Sequence, residues 1–145
     1  DTDNVETPEI YFGSDRNEYL ANGEKETQGT QNLTLPENIE ENKLYLNGEW
    51  DIRPEYARNT GDGEIILKYT AKNVNMVLEG NNATVKVYHD GEPIQNSSGR
   101  SVTDSTINVD EEQLYNIVRN EDYGTHTLRL QVQEGRLDAY TFTFG

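Results

Sequence analysis

Apolar residues recur at every second position over most of the readable chain. Ile65, Leu67, Tyr69 and Ala71 alternate with Ile66, Lys68 and Thr70, and Val74, Met76 and Leu78 carry the series to a turn signal, Gly80-Asn81-Asn82. Val85 and Val87 follow with Lys86 and Tyr88 on the other face, and Asp90-Gly91 closes that strand with a hairpin-type turn. Near the end Leu128, Leu130 and Val132 alternate with Thr127, Arg129 and Gln131. Glu134-Gly135 then turns the chain, and Tyr140, Phe142 and Phe144 alternate with Thr141 and Thr143. In an extended chain successive side chains point to opposite faces, so this period predicts strands with one apolar and one polar face.

Short strands rich in β-branched and aromatic residues, separated by Gly, Asn and Asp, predict an all-β fold: an antiparallel β-sandwich of jelly-roll type. No long stretch has helical periodicity. Asp15 to Ala21 and Asp110 to Val118 are each expected to hold a short helical turn, the second capped by Asp110 with acids behind it. Gly23 to Gln31 and Asn96-Ser97-Ser98-Gly99 read as loops. There is no internal repeat and no linker, so residues 1–145 are expected to form a single domain.

Composition narrows the chemistry. With 12 basic and 27 acidic residues the formal net charge is −15, a surface that repels phosphate backbones and anionic membranes; neither nucleic acid nor membrane is an expected partner of this domain. Hydrophobic content is only 32%, but nine tyrosines and regular apolar spacing distinguish the chain from a disordered one. There is no cysteine, which excludes disulfide exchange, thiolate catalysis and Cys-ligated metals from this chain. The chain opens Asp1-Thr2-Asp3-Asn4 without an initiator methionine, as expected of a processed or excised segment, and holds no apolar run of membrane-spanning length.

The residues suggest no catalytic constellation. His89 and His126 fall at the ends of different strands, where a histidine is ordinarily a solvated or structurally bonded residue. Gly-x-Ser-x-Gly and phosphate-cradling glycine loops are absent from the sequence. Acidic residues abound, but a glycosidase pair requires a set separation across a cleft, which sequence does not show. Asp110-Glu111-Glu112 and Asp1-x-Asp3 offer hard oxygen ligands without EF-hand spacing, and a helix start accounts for the first of them. Neither a metal nor a cofactor is expected, a structural calcium held in the loops being the alternative left open. Asn32, Asn82 and Asn96 each begin an Asn-x-Ser/Thr sequon.

The aromatic residues carry most of the information. Sugars lay flat C–H faces on aromatic rings while polar groups read their hydroxyls. Trp50, Tyr11, Tyr45, Tyr56 and Tyr88 are the rings to consider. Period two in Leu44-x-Leu46-x-Gly48-x-Trp50-x-Ile52 puts Trp50 on the face of the leucines, and so in the core. Tyr45 and Tyr88 fall on the opposite face of their strands and are expected to be exposed. Tyr88, flanked by Lys86 and Asp90, forms with Tyr45 and Tyr56 the candidate ligand-binding set, against the alternative that Tyr88 merely packs across strands.

Four blocks carry a family resemblance. Thr7-Pro8-Glu9-x-Tyr11-x-Gly13, Leu46-x-Gly48-x-Trp50-x-Ile52-x-x-Glu55, Leu114-Tyr115-x-x-Val118 and Ala139-Tyr140-Thr141-Phe142-Thr143-Phe144-Gly145 occur in this order and span nearly the whole chain. Together they resemble the C-terminal domain of DipZ-like, thioredoxin-like proteins. The resemblance implies a carbohydrate-binding-module-like (galactose-binding-like) jelly roll that follows an extracytoplasmic thioredoxin-like domain. The resemblance also implies, in DipZ-like parents, a membrane-embedded electron-transfer segment of the cytochrome c biogenesis type, while shorter, secreted relatives have only the thioredoxin-like part. The CxxC chemistry would belong to the thioredoxin-like domain, in keeping with a cysteine-free chain. Two features depart from the family's pattern, the long polar segment from Gly23 to Gln31 and the strong acidity. The expected function is that of a non-catalytic accessory domain binding carbohydrate. The alternative is a structural or protein-interaction domain that docks on the thioredoxin-like domain or its substrate without a sugar ligand.

Overall fold

Two long strands supply most of the sheet structure, β5 (Glu64–His89) and β8 (Gln113–Phe144). The computed structural model describes residues 5–145, so the Asp1-x-Asp3 pair lies outside the described residues. Before β5 come β1 (Ile10–Tyr11), β2 (Gly29–Leu33), β3 (Leu44–Ile52) and β4 (Ala57–Asn59); between β5 and β8 come β6 (Glu92–Pro93) and β7 (Thr106–Val109). All pairings between these strands are antiparallel.

A straight strand of the length of β5 would reach roughly 85 Å at about 3.3 Å per residue, more than a domain of this size spans. The register shows how it is folded. Residues 64–71 pair with 124–131, and so do residues 86–89, whereas 73–78 pair with 113–119 and 74–81 with 136–144. Residues 64–71 and 84–89 therefore flank the same strand and run in the same direction. The chain between them must return in the other layer. Both long strands thus cross from one sheet to the other and back. One sheet has the order 44–47, 64–71, 124–131, 84–89, with β7 and β6 at its edge. The other has β2, 48–52, β4, 136–144, 73–81, 113–119, with β1 beside 141–142. This is the expected all-β antiparallel sandwich.

The two turn signals at Gly80-Asn81-Asn82 and Glu134-Gly135 form one of these crossings. The ladder between β5 and β8 continues through it with a register shift between Asn81 and Thr84. Asn82 and Gly135 supply the left-handed backbone there, with φ of 50° and 80°. Asp90-Gly91 makes the expected hairpin: both residues have positive φ, and His89 faces Glu92 across the two-residue loop.

The core lies between the two inner faces. Leu44, Leu46, Ile65, Leu67, Tyr69, Val85, Val87, Leu128 and Leu130 come from one sheet; Trp50, Ile52, Val74, Met76, Leu78 and Phe142 come from the other, all at most 1% exposed.

The structure corrects both expected helical turns, and no helix occurs among the described residues. Residues 15–21 form consecutive tight turns, with Arg16 N–H donating to Gly13 C=O and Leu20 N–H to Asn17 C=O. Asp110 caps no helix, because residues from Gln113 onward are strand. Its Oδ1 accepts from Asn82 N–H at 2.9 Å and its C=O from Gly80 N–H, so it closes the crossing instead. Of the polar stretch from Gly23 to Gln31, the last residues belong to β2. The Asn96–Gly99 loop is pinned to β8 by Gly99 N–H donating to Ile117 C=O. All three sequon asparagines are exposed.

Candidate functional site

Alternation along β4 puts Ala57 inside and Tyr56 and Arg58 outside. Across from them the ladder shifts register: Leu78 pairs with Ala139 but Val77 pairs with Thr141. Tyr140 is the extra residue of that bulge. The sequence pattern aligns Tyr140 with Phe142 and Phe144; the structure corrects this by turning Tyr140 to the outer face, where its ring meets that of Tyr56 at 5.1 Å. Tyr11 reaches the same face, because Ile10 is opposite the buried Phe142 and Tyr11 is opposite Thr141.

Tyr11, Gly13, Asp15, Arg16, Pro54, Glu55, Tyr140 and Thr141 line a groove on this face. Its floor requires a glycine. A Cβ on Gly13 would lie 2.3 Å from Pro54 O and 2.4 Å from Glu55 C, so no other residue allows the segment after β1 to pass this close to the Pro54-Glu55 turn. Ser14 N–H and Asp15 N–H donate to Arg53 and Pro54 carbonyls and hold the two together.

The charges around the groove are ordered. Arg16 lies over the Tyr11 ring at 3.8 Å, and Tyr11 O–H donates to Glu9 at 2.8 Å. Arg58 grips Asp138 with Nε at 2.7 Å and Nη2 at 3.0 Å, while its guanidinium also lies 5.4 Å from the Tyr56 ring. Asp138 is 1% exposed, and Arg136 Nε lies 3.6 Å from the Oδ2 that Arg58 Nη2 engages. The hydrogen bond to Asp138 raises the Arg58 pKa. Burial, with help from Glu112, Glu79 and Asp138, pushes Tyr140 up to about 12. The Tyr11 hydroxyl is also raised, first by its bond to Glu9. Both phenols are therefore neutral at physiological pH and present uncharged rings to a ligand.

The sequence-derived binding set is dispersed. Tyr56 stands beside this groove. Tyr45 is on the outer face of the other sheet, as alternation requires, but it is 3% exposed. Glu40 N–H donates to its hydroxyl at 2.9 Å, and the expectation that Tyr45 is exposed is corrected. Tyr88 and Lys86 are half-exposed on that same sheet. Arg129, the cross-strand neighbour of Tyr88, lies 5.3 Å from its ring and donates from Nε to Glu64 at 2.6 Å. Tyr88 thus has a cross-strand neighbour in Arg129, while its ring stays half-exposed.

Asp90 does not flank Tyr88. The hairpin turn swings its carboxylate to His126, with Nδ1 and Oδ2 2.6 Å apart, while Oδ1 accepts from Thr127 N–H at 2.9 Å. His89 joins them, its ring centroid 4.6 Å from that of His126. The two histidines are 37 positions apart in sequence and on adjacent strands in space, which no short motif reveals. Burial first, then His126, lowers the His89 pKa against the opposing effect of Asp90. Desolvation pushes Asp90 up, but the hydrogen bonds from His126 and Thr127 outweigh it and the net shift is downward.

Sequence reasoning named Tyr11 among the rings but did not place it at a site, and it missed Tyr140 and Arg16. The available signal was in the resemblance: Tyr11 and Gly13, Glu55, and Tyr140 belong to three of its four blocks, and they converge on this groove.

Comparison with known proteins agrees with the fold. A model of the family described as thioredoxin like C-terminal domain matches residues 7–145. No curated protein matches the chain significantly. A solved family two carbohydrate esterase from Cellvibrio japonicus is similar at 13% identity and a TM-score of 0.58, covering 70% of this chain and 30% of its own. An active-site mutant of a family two carbohydrate esterase from Clostridium thermocellum, solved with a cello-oligosaccharide, is similar at 16% identity and a TM-score of 0.58, with 70% and 31% covered. A further structure of the Clostridium thermocellum enzyme, in complex with cellohexaose, has 15% identity and a TM-score of 0.54, with 66% and 29% covered. The chain therefore spans about a third of the length of these proteins, and at such identity the likeness concerns the fold alone.

Proposed function

Because the chain belongs to the thioredoxin-like C-terminal domain family, we propose that it is a non-catalytic, carbohydrate-binding accessory domain of an extracytoplasmic thiol–disulfide oxidoreductase of DipZ-like type. The observation that carries the sugar reading is the groove at Tyr11 and Tyr140, where neutral aromatic rings stand beside Arg16, Asp15 and Glu55. Flat apolar faces edged by fixed donors and acceptors are what a pyranose ring with its hydroxyls requires. The domain would hold a neighbouring thioredoxin-like domain close to cell-envelope glycan or a glycosylated substrate. That the Clostridium thermocellum carbohydrate esterase, similar in fold, was solved in complex with cellohexaose supports this direction without identifying the sugar.

The test is a titration of cell-wall and cellulose-derived oligosaccharides followed by NMR shift mapping. Shifts are expected around Tyr11, Arg16, Glu55 and Tyr140, and Tyr140→Ala is expected to remove them. Tyr88→Ala, on the opposite sheet, leaves them in place. No shifts at about millimolar ligand, the weakest affinity of use here, would leave the domain without a sugar ligand and favour docking on its thioredoxin-like neighbour.

A further inference from the structure

The end of the sandwich opposite in character to the tyrosine groove holds a compact set of nitrogen and oxygen donors. It is formed by the Asp90-Gly91 hairpin, the end of residues 84–89 and the start of residues 124–131. One donor atom from each of His89, Asp90 and His126 can be chosen so that all lie within 4.8 Å of one another. Asp90 Oδ2 is 2.6 Å from His126 Nδ1 and 4.0 Å from His89 Nδ1.

We propose that His89 Nδ1, His126 Nδ1 and Asp90 Oδ2 form a zinc-binding site with its fourth position open to solvent. Zinc takes nitrogen and carboxylate ligands at about 2.0–2.1 Å, which in a tetrahedron separates neighbouring donors by about 3.3 Å. The separations from Asp90 bracket that value, and one donor atom from each residue lies within 4.8 Å of the others, so closing on an ion is a matter of side-chain rotation.

The surroundings orient the donors as the outer shell of a metal site does. Thr127 N–H engages Asp90 Oδ1 and leaves Oδ2 to point at the histidines. The Tyr69 hydroxyl sits 2.8 Å from His89 Nε2 and fixes that ring from behind, with Nδ1 turned to the site. Asn120 Nδ2 in turn donates to the Tyr69 oxygen at 3.0 Å. Tyr69 is fully buried and Asn120 is 8% exposed, so this support is rigid. With metal bound at Nδ1, each imidazole carries its proton on Nε2: His89 Nε2–H donates to the Tyr69 oxygen, and the proton of His126 passes from Nδ1 to Nε2 by exchange with solvent. His126 lines a depression together with Glu121 and Asp122. The acidity of the chain favours a cation there and disfavours an anion. A zinc ion so placed would tie the hairpin to the central strand 124–131.

Isothermal titration of the tag-free chain with zinc chloride at neutral pH tests this, together with NMR of the imidazole nitrogens. Saturable one-to-one binding is expected, with a Kd on the order of micromolar. The ring signals of both His89 and His126 should shift at the same equivalence point. Asp90→Asn and His126→Gln, both at partly exposed positions, should each weaken binding at least tenfold while circular dichroism stays that of the parent. Tyr69→Phe should weaken it roughly 10–100-fold by removing the partner of His89 Nε2. Absence of saturable binding up to about millimolar zinc overturns the proposal. So does binding that Asp90→Asn and His126→Gln leave unchanged, since the ion would then sit on other surface carboxylates. Calcium that displaces zinc at equal concentration overturns it as well, because an oxygen-seeking ion has no preference for two imidazoles. The histidine signals of the unsubstituted chain decide the matter even if a variant fails to fold.

Discussion

Single side chains hold the interior in register. Trp50 is fully buried, and its Nε1–H donates to Asn47 C=O at 3.0 Å. Gly63 closes over the ring so tightly that a Cβ there would come within 2.7 Å of Cζ2. Trp50→Ala is therefore expected to cost about 3–5 kcal/mol in urea denaturation, the range for truncating a large buried aromatic. A stable variant that loses only ligand binding would place the ring elsewhere. Tyr140 carries a second expectation. Its folded-state pKa of about 12 exceeds the ordinary 10.0, so the stability it contributes is fully present below pH 10 and is lost as pH rises towards 12. Burial displaces Tyr69 in the same direction. Phenolate absorbance should show a component that ionises above the ordinary tyrosine range and shrinks in Tyr140→Phe, and Tyr140→Phe should reduce the loss of stability above pH 10. A single transition of all nine tyrosines at the ordinary pKa would contradict this.

At the level of elements, the corners and the hairpin distinguish two uses of glycine. Gly91 and Gly135 both have positive φ, but a Cβ on Gly91 would meet nothing within 4 Å, whereas one on Gly135 would lie 2.5 Å from Asn82 O. Gly91→Ala should cost only the backbone penalty, about 1–2 kcal/mol, and Gly135→Ala should cost clearly more by the same denaturation measurement. Equal costs would mean that the crossing between the sheets yields without strain. The bulge at Tyr140 is the other decisive element. One extra residue between Ala139 and Thr141 sends an aromatic ring from the core side to the groove, and the groove's wall depends on it.

Across the whole molecule the pairings join residues distant in sequence: Ile10 pairs with Phe142 and Ala57 with Ala139. Such contacts require loop closure before they stabilise anything, so folding is expected on the millisecond-to-second scale of β-sandwiches. Residues 136–144 lie inside their sheet, between 73–81 on one side and β4 with β1 on the other. Deletion of residues 136–145 is therefore expected to leave a chain without cooperative unfolding, as judged by thermal circular dichroism. In catalysis the expectation is a blank: insulin reduction by this chain should not exceed buffer, because it has no thiolate to attack a disulfide. Activity that survived rigorous purification would contradict the accessory role.

The alternation of Ile65, Leu67 and Tyr69, and of Leu44, Leu46 and Trp50, was enough to determine strands, their inward faces and an all-β sandwich. Period two is a local property, and burial of one face follows from it. Asp90-Gly91 likewise specified its hairpin through backbone conformation alone. Three things were decided only in the tertiary structure. The burial of Tyr45 goes with the bond its hydroxyl takes from Glu40 N–H, five residues earlier, a conformation of the chain leading into β3 that alternation does not record. The outward turn of Tyr140 depends on a bulge, which a shift in pairing creates and no local spacing records. The meeting of His89, Asp90 and His126 depends on residues 84–89 and 124–131 becoming neighbours in one sheet. Alternation determines which way a side chain points relative to its own strand; what lies opposite it is set by long-range register, and that is where the groove and the donor cluster arise.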